Sequence, residues 1–205
     1  MSKHMSKADR RLWAEARTLA DVGELTARWL EGRIDSQPGY CGPSDVDDPA
    51  RLVPLLAKLC RAGFVTTCSQ IGGREQGANG TCWEQCAAVE GFVGPHLAFR
   101  LAQAAENAAL DYVLHDPVNL PRWRYRYHGA VTVTRVNGRP FTGFGANLPR
   151  RHIRDDLLGY GICHPDAVDA LCSAWQVTLI DPEWGREPSP LWDMLAAGFA
   201  SEVRS

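Results

Sequence analysis

Four prolines punctuate the chain, and each stands where an amphipathic helix begins. Pro49 follows Asp48, Pro95 follows Gly94, Pro165 follows His164 and Pro190 follows Ser189. Proline suits the first helical position because its missing N–H is not needed there. After Pro49, Leu52, Leu55, Leu56, Leu59 and Cys60 recur at helical spacing, so one face must pack on a core. Between these helices lie short apolar runs with strand character: Phe64 to Thr67, Trp83 to Phe92, Tyr112 to Leu114 and Val177 to Ile180. Ala130 to Val136 alternates, turns at Asn137-Gly138 and returns at Phe141 to Phe144, which predicts a β-hairpin. A further helix is expected from an Asp21 N-cap through Leu25, Trp29 and Leu30. Ile34 to Ser44, Ile71 to Thr81 and Pro117 to His128 read as irregular. This order predicts an α/β or α+β fold: one domain with mixed sheets flanked by helices, over residues 18–200, after an N-terminal extension 1–17.

With 205 residues the chain can bury a substantial core. Its net charge of −2 provides no polycationic surface for nucleic acid. Basic residues cluster at Arg122, Arg124 and Arg126 and at Arg150, Arg151 and Arg154, where a solvated face explains them better than a binding site. No apolar run approaches the roughly 20 residues of a membrane helix, and the N-terminus lacks the apolar segment of a signal peptide. The expectation is a cytoplasmic protein with reduced cysteines and no membrane partner. The seven cysteines form no C-x-x-C pair, so buried thiols are expected rather than a metal site.

Several motifs are missing. There is no G-x-G-x-x-G, no phosphate loop with its lysine and no G-x-S-x-G elbow. His164, Asp166 and Ser173 fall on one predicted helix, which is the wrong geometry for a catalytic triad.

The informative stretch is Gly63 to Gln70, GFVTTCSQ. A buried strand ends there in Thr66, Thr67, Cys68, Ser69 and Gln70, just before a glycine-rich loop. Uncharged donors and acceptors in such a place suit ribose hydroxyls, an adenine edge or an amino-acid end. They equally suit a turn that satisfies its own backbone.

GFVTTCSQI resembles the G-(I/F)-L-T-I-N-S-Q-P strand of the C-terminal regulatory domain of eukaryotic methylenetetrahydrofolate reductase. Glu84 to Phe92 is similar to that family's F-Q-K-A-Y-(L/V)-E-F-F segment, and Thr142 to Gly145 to its T-W-G-I-F-P-G. Val177 to Asp181 and Leu191-Trp192 resemble its closing strand and helix. The likeness runs from about Thr18 to Phe199. It implies a domain that binds S-adenosylmethionine or S-adenosylhomocysteine and is not a Rossmann methyltransferase. It also implies ligand contacts at Asp48, Thr66, Ser69 and Thr142, with Asp155 near a further contact position and Gln70 and Gln85 in the matching segments. Cys68 and Ile71 replace the family's asparagine and proline. A sulfonium cation favours a nearby carboxylate, a role open to Asp48 beside its role as helix cap. Trp83, Trp123 and Tyr125 could stack on adenine but also read as packing residues.

The reductase domain is attached to a flavin-bearing barrel, and 205 residues hold no such barrel. The leading expectation is therefore a free-standing sensor that binds the S-adenosyl ligand and acts on a protein partner. The first alternative is a transferase that uses S-adenosylmethionine as substrate, with Cys68, His115 and Asp116 as its candidate acid or base. The second is an interaction module that lacks the ligand, with the arginine-rich segment 122–126 as its partner surface.

Overall fold

The computed structural model describes residues 5–119, 129–159 and 161–199. The helix α1 (Lys7–Glu15) is capped by Ser6, whose hydroxyl accepts the Asp9 N–H at 3.0 Å. This segment was expected as an extension, yet Trp13 is 1% exposed and belongs to the main core. Its indole N–H donates to the Ser36 carbonyl, and the Ser36 hydroxyl donates to Asp9 Oδ2. Residues 7–16 are part of the domain. In α2 (Leu19–Leu30) the N-cap is Thr18, not Asp21. Asp21 stands at the third helical position and accepts from the Thr18 N–H, while Thr18 Oγ1 accepts from the Asp21 N–H. That reciprocal pair satisfies two donors that helix formation leaves over.

The loop expected after α2 contains a minimal ladder of β1 (Ser36–Gln37) and β2 (Tyr40–Cys41). Then α3 (Pro49–Arg61) begins where the Asp48-Pro49 pair places it. Asp48 itself sits at φ 42° and makes no side-chain capping bond, so the proline, not the aspartate side chain, marks this start. Leu52, Leu56, Leu59 and Cys60 of α3 are fully buried, and each leucine contributes roughly 1.5–3 kcal/mol by leaving water.

From β3 (Phe64–Gln70) the chain enters two four-stranded sheets. The glycine-rich stretch expected as loop forms β4 (Gly73–Gln76), which pairs with β5 (Cys82–Gln85). The stretch Trp83 to Phe92, expected as one strand, is two strands in two sheets: β5, then β6 (Ala88–Val93). The break at Cys86 and Ala87 has a cause. Cys86 N–H donates to the Val133 carbonyl, whereas the Ala87 carbonyl accepts from Asp181 N–H in the other layer. Next come α4 (Pro95–Asn107), β7 (Asp111–His115) and a 3-10 turn at Pro117–Asn119. The expected hairpin follows as β8 (Val131–Val136) and β9 (Arg139–Phe144), turning at Asn137-Gly138. A short helix α5 (Arg150–His152) runs into a π-turn, Ile153–Leu157. The chain then forms α6 (Pro165–Cys172), β10 (Trp175–Ile180) and α7 (Pro190–Gly198).

The central sheet has the order β3-β6-β10-β7 and the outer sheet β4-β5-β8-β9. Every pairing among the described residues is antiparallel. The fold is α+β in a single domain. One face of the central sheet, carrying Val89, Val177 and Leu179, packs into the main core with the helices. The other face meets the outer sheet through a second core of Cys86, Ala88, Val133 and Ile180. No helix among the described residues is long and apolar enough to cross a membrane.

Candidate functional site

The site follows from an irregularity in β3. Thr66 pairs with Gly91 and Cys68 with Glu90, so Thr67 is an extra residue in a β-bulge. Side chains alternate along a strand, and one inserted residue reverses which face the next ones take. Thr66 therefore keeps to the helix side, while Cys68 and Gln70 share the face of Glu90. The bulge fits because residue 91 is glycine: a Cβ there would lie 2.1 Å from the Val65 carbonyl oxygen.

This geometry separates the residues that the sequence grouped. The Thr66 hydroxyl is buried and lies 3.3 Å from Cys60 Sγ in the core. Gln70 is buried and fully engaged. Its amide nitrogen donates to the Cys86 and Val133 carbonyls at 2.7 and 2.8 Å, and its oxygen accepts from Thr134 Oγ1 at 3.0 Å. Gln70 thus joins the two sheets, and no hydrogen-bonding atom is left for a ligand. Ser69 pairs with Val89 on the helix side. Asp48 is exposed at the start of α3. Gln85 and Thr142 lie on the outer sheet, each beside Thr134. Asp155 pairs with Arg154 and Arg151; the hydrogen bond from Arg154, then the two positive charges, hold its carboxyl below the usual range. Trp83 stands edge-on to Phe141 in the outer sheet, with ring centroids 5.1 Å apart. Trp123, Tyr125 and the arginines 122, 124 and 126 lie outside the described residues.

What the fold does assemble is a row across the central sheet, polar at Cys68, Glu90 and Thr178 on β3, β6 and β10 and closed by Val113 on β7. Gln176 and His115 form the next row with Phe92. A segment following β9, residues 145–148, is strapped over these rows. Gly145 N–H donates to Glu90 Oε2 at 2.9 Å. His115 Nε2 lies 2.9 Å from the Gly145 carbonyl oxygen; a carbonyl only accepts, so this nitrogen carries the proton. Gln176 brackets Leu148, accepting from its N–H at 2.8 Å and donating to its carbonyl at 2.9 Å. Gly145 has φ 83°, and a Cβ there would come within 3.1 Å of Val113, so glycine is needed at the head of the strap.

Electrostatics single out Glu90. Burial pushes its carboxyl above the ordinary carboxylate range, against hydrogen bonds from Gly145, Thr178 and Cys68 and the nearby His115. No Lys or Arg among the described residues pairs with it. The Cys68 thiol is open to solvent on one side. Crowding on its other side, with the Glu90 and Asp45 carboxylates, pushes it up to about 12. Such a thiol is protonated at neutral pH and is a poor nucleophile. His115 has one ring nitrogen engaged by Gly145. Asp116 accepts the Val118 N–H at 2.9 Å, as the lead residue of the 3-10 turn. Among the described residues no group of three His, Cys, Asp or Glu side chains is placed to hold a metal ion.

Two small cavities flank the bulge, and Thr67 lines both. One, about 30 Å³, lies between Trp13, Thr26, Pro38, Thr66 and Leu158. The other, about 10 Å³, lies under the strap, against Glu90, Gln176, Thr178, Ala146 and Leu148. Each has room for about one or two waters. Asn147, within the strap, has a buried side-chain oxygen without a hydrogen-bond partner.

Residues 8–202 match the family described as a domain of unknown function, DUF6919. The chain belongs to that family. No curated protein matches it. The DUF6919 match takes in α1, in keeping with the burial of Trp13 in the same core as the sheet. Glu90 of this DUF6919 chain was not singled out by sequence reasoning. The signal available was a glutamate inside the otherwise apolar run AAVEGFV, where a charge needs a reason.

Proposed function

We propose that the protein binds a small molecule of the S-adenosyl class, S-adenosylmethionine or S-adenosylhomocysteine, and acts as a sensor toward a protein partner. The ligand would sit on the strap-covered face of β3, β6 and β10. The observation that carries this reading is the Glu90 carboxylate, half-buried among the uncharged groups of Thr67, Cys68, Gln176 and Thr178. Such a floor suits a ligand that combines hydroxyl and amide-like edges with a localized positive charge. The ligand class comes from the likeness to the regulatory domain of methylenetetrahydrofolate reductase. Binding is favoured over methyl transfer because the Cys68 thiol is held protonated and His115 Nε2 is tied to Gly145.

A second reading, an interaction module without ligand, draws on the small size of the two cavities. Small-molecule sites enclose roughly 300–1,000 Å³, so the strap must move before a nucleoside can enter. Titration calorimetry separates the two readings. The sensor reading expects a dissociation constant below about 1 mM for at least one of the two ligands. Absence of heat with both leaves the interaction module. Formation of a methylated product with candidate acceptors, followed by mass spectrometry, would instead move the protein to the transferases.

A further inference from the structure

We infer that Glu90 is the charge-reading residue of this site: it admits a compact sulfonium or ammonium group beneath the 145–148 strap and disfavours the neutral thioether. The inference rests on the S-adenosyl reading and adds which member of the class the site prefers.

Three observations support it. First, Glu90 is a carboxylate on an inner strand of a sheet, paired in register with Cys68 and Thr178, and the groups acting on it among the described residues are Gly145, Thr178, Cys68 and His115, none of them a Lys or Arg. A carboxylate removed from water without a cation is costly, and an incoming cation recovers that cost in a way a neutral group cannot. Secondly, the groups around it are mostly neutral. Cys68 from β3, Thr178 from β10 and the Gly145 N–H from the strap donate to it, and His115 from β7 faces it across Gly145. Asp45, from the loop before α3, adds a second negative charge near Cys68. Thirdly, the cover is light. Residues 145–148 are fixed by single side-chain bonds from Glu90 and His115 and by the Gln176 bracket, not by strand pairing. Ala146, Asn147 and Leu148 are only half-buried. The Asn147 oxygen, buried without a partner, is an unmet acceptor on the strap itself. Opening the strap joins the space over Glu90 to solvent and lifts Leu148 from the edge of the main core.

The test is competitive calorimetry with S-adenosylmethionine, S-adenosylhomocysteine and an analogue that carries an ammonium in place of the sulfonium. The wild-type protein is expected to prefer both cationic ligands by about ten-fold over the thioether. Glu90→Gln is expected to remove that preference while S-adenosylhomocysteine still binds, which also shows the variant to be folded. Equal affinity of the wild-type protein for all three ligands overturns the inference and leaves the S-adenosyl reading standing. A preference that survives Glu90→Gln does the same. Absence of binding by all three overturns both together. If Glu90→Gln does not fold, the wild-type ranking of the two cations against the thioether decides.

Discussion

At the scale of single residues, Glu90 and Gln70 show how one strand supplies both a lock and a site. They lie on the same face of the central sheet, yet every hydrogen-bonding atom of the Gln70 amide is matched by a protein partner. Gln70→Ala is therefore expected to lower unfolding stability by about 2–3 kcal/mol, because two carbonyls and a hydroxyl lose their partner in a dry place. Denaturant unfolding measures this, and a loss below about half a kcal/mol would show that the sheets are joined by other means. The sequence presented Gln70 and Ser69 as neighbours in a single pocket wall. It could not show that Thr67 is bulged, since a bulge is set by the partner strand and by the space at Gly91. For the same reason Thr66, an expected ligand contact, is a core hydroxyl against Cys60. Glu90 was hidden by its apolar flanks, and only the register with Cys68 and Thr178 gives it a chemical setting.

At the scale of elements, the proline-led helices and the Asn137-Gly138 hairpin were legible because their signals are local. The breaks were not. The chain passes from β5 to β6 through Cys86 and Ala87, and its change of sheet depends on Val133 and Asp181, which are distant in sequence. The β3 bulge depends on the close approach of Gly91 to Val65. Gly91→Ala is expected to cost about 3 kcal/mol, since the clash is with backbone that cannot move aside; an unchanged melting temperature would mean that the strands separate without penalty. Helix α1 is a short polar stretch whose nine residues carry no local sign that Trp13 reaches the core. Deleting residues 1–17 removes that indole and its bond to Ser36. The deletion is expected to cost about 4 kcal/mol or more, which a differential-scanning melt would register. A truncated chain that melts like the full one would restore the extension reading.

At the scale of the whole molecule, two antiparallel sheets share a small second core while the helices cover the opposite face of the central one. A charged cluster ties α2 to α3: Arg61 of α3 bridges Glu24 and Glu31, and Arg33 joins Glu31. Hydrogen bonds from Arg61 and Arg33 hold the Glu31 carboxyl at about 2, against an ordinary value of 4.5. A depressed carboxylate stabilises the fold above its ordinary value, and that stability is lost as the pH falls from 4.5 toward 2. The cluster is partly open to water, so the contribution is about 1 kcal/mol. Glu31→Gln is expected to flatten the acid limb of the stability–pH curve, and an unaltered limb would assign acid sensitivity elsewhere.

The face beneath the strap is the proposed ligand site, and its most direct test is amide chemical-shift mapping of the folded protein titrated with S-adenosylmethionine. The expected result is that the amides of Gly145, Leu148, Thr67, Glu90 and Thr178 shift together with a single dissociation constant. Shifts confined to the outer sheet of β4, β5, β8 and β9, or no shifts at millimolar ligand, would contradict it.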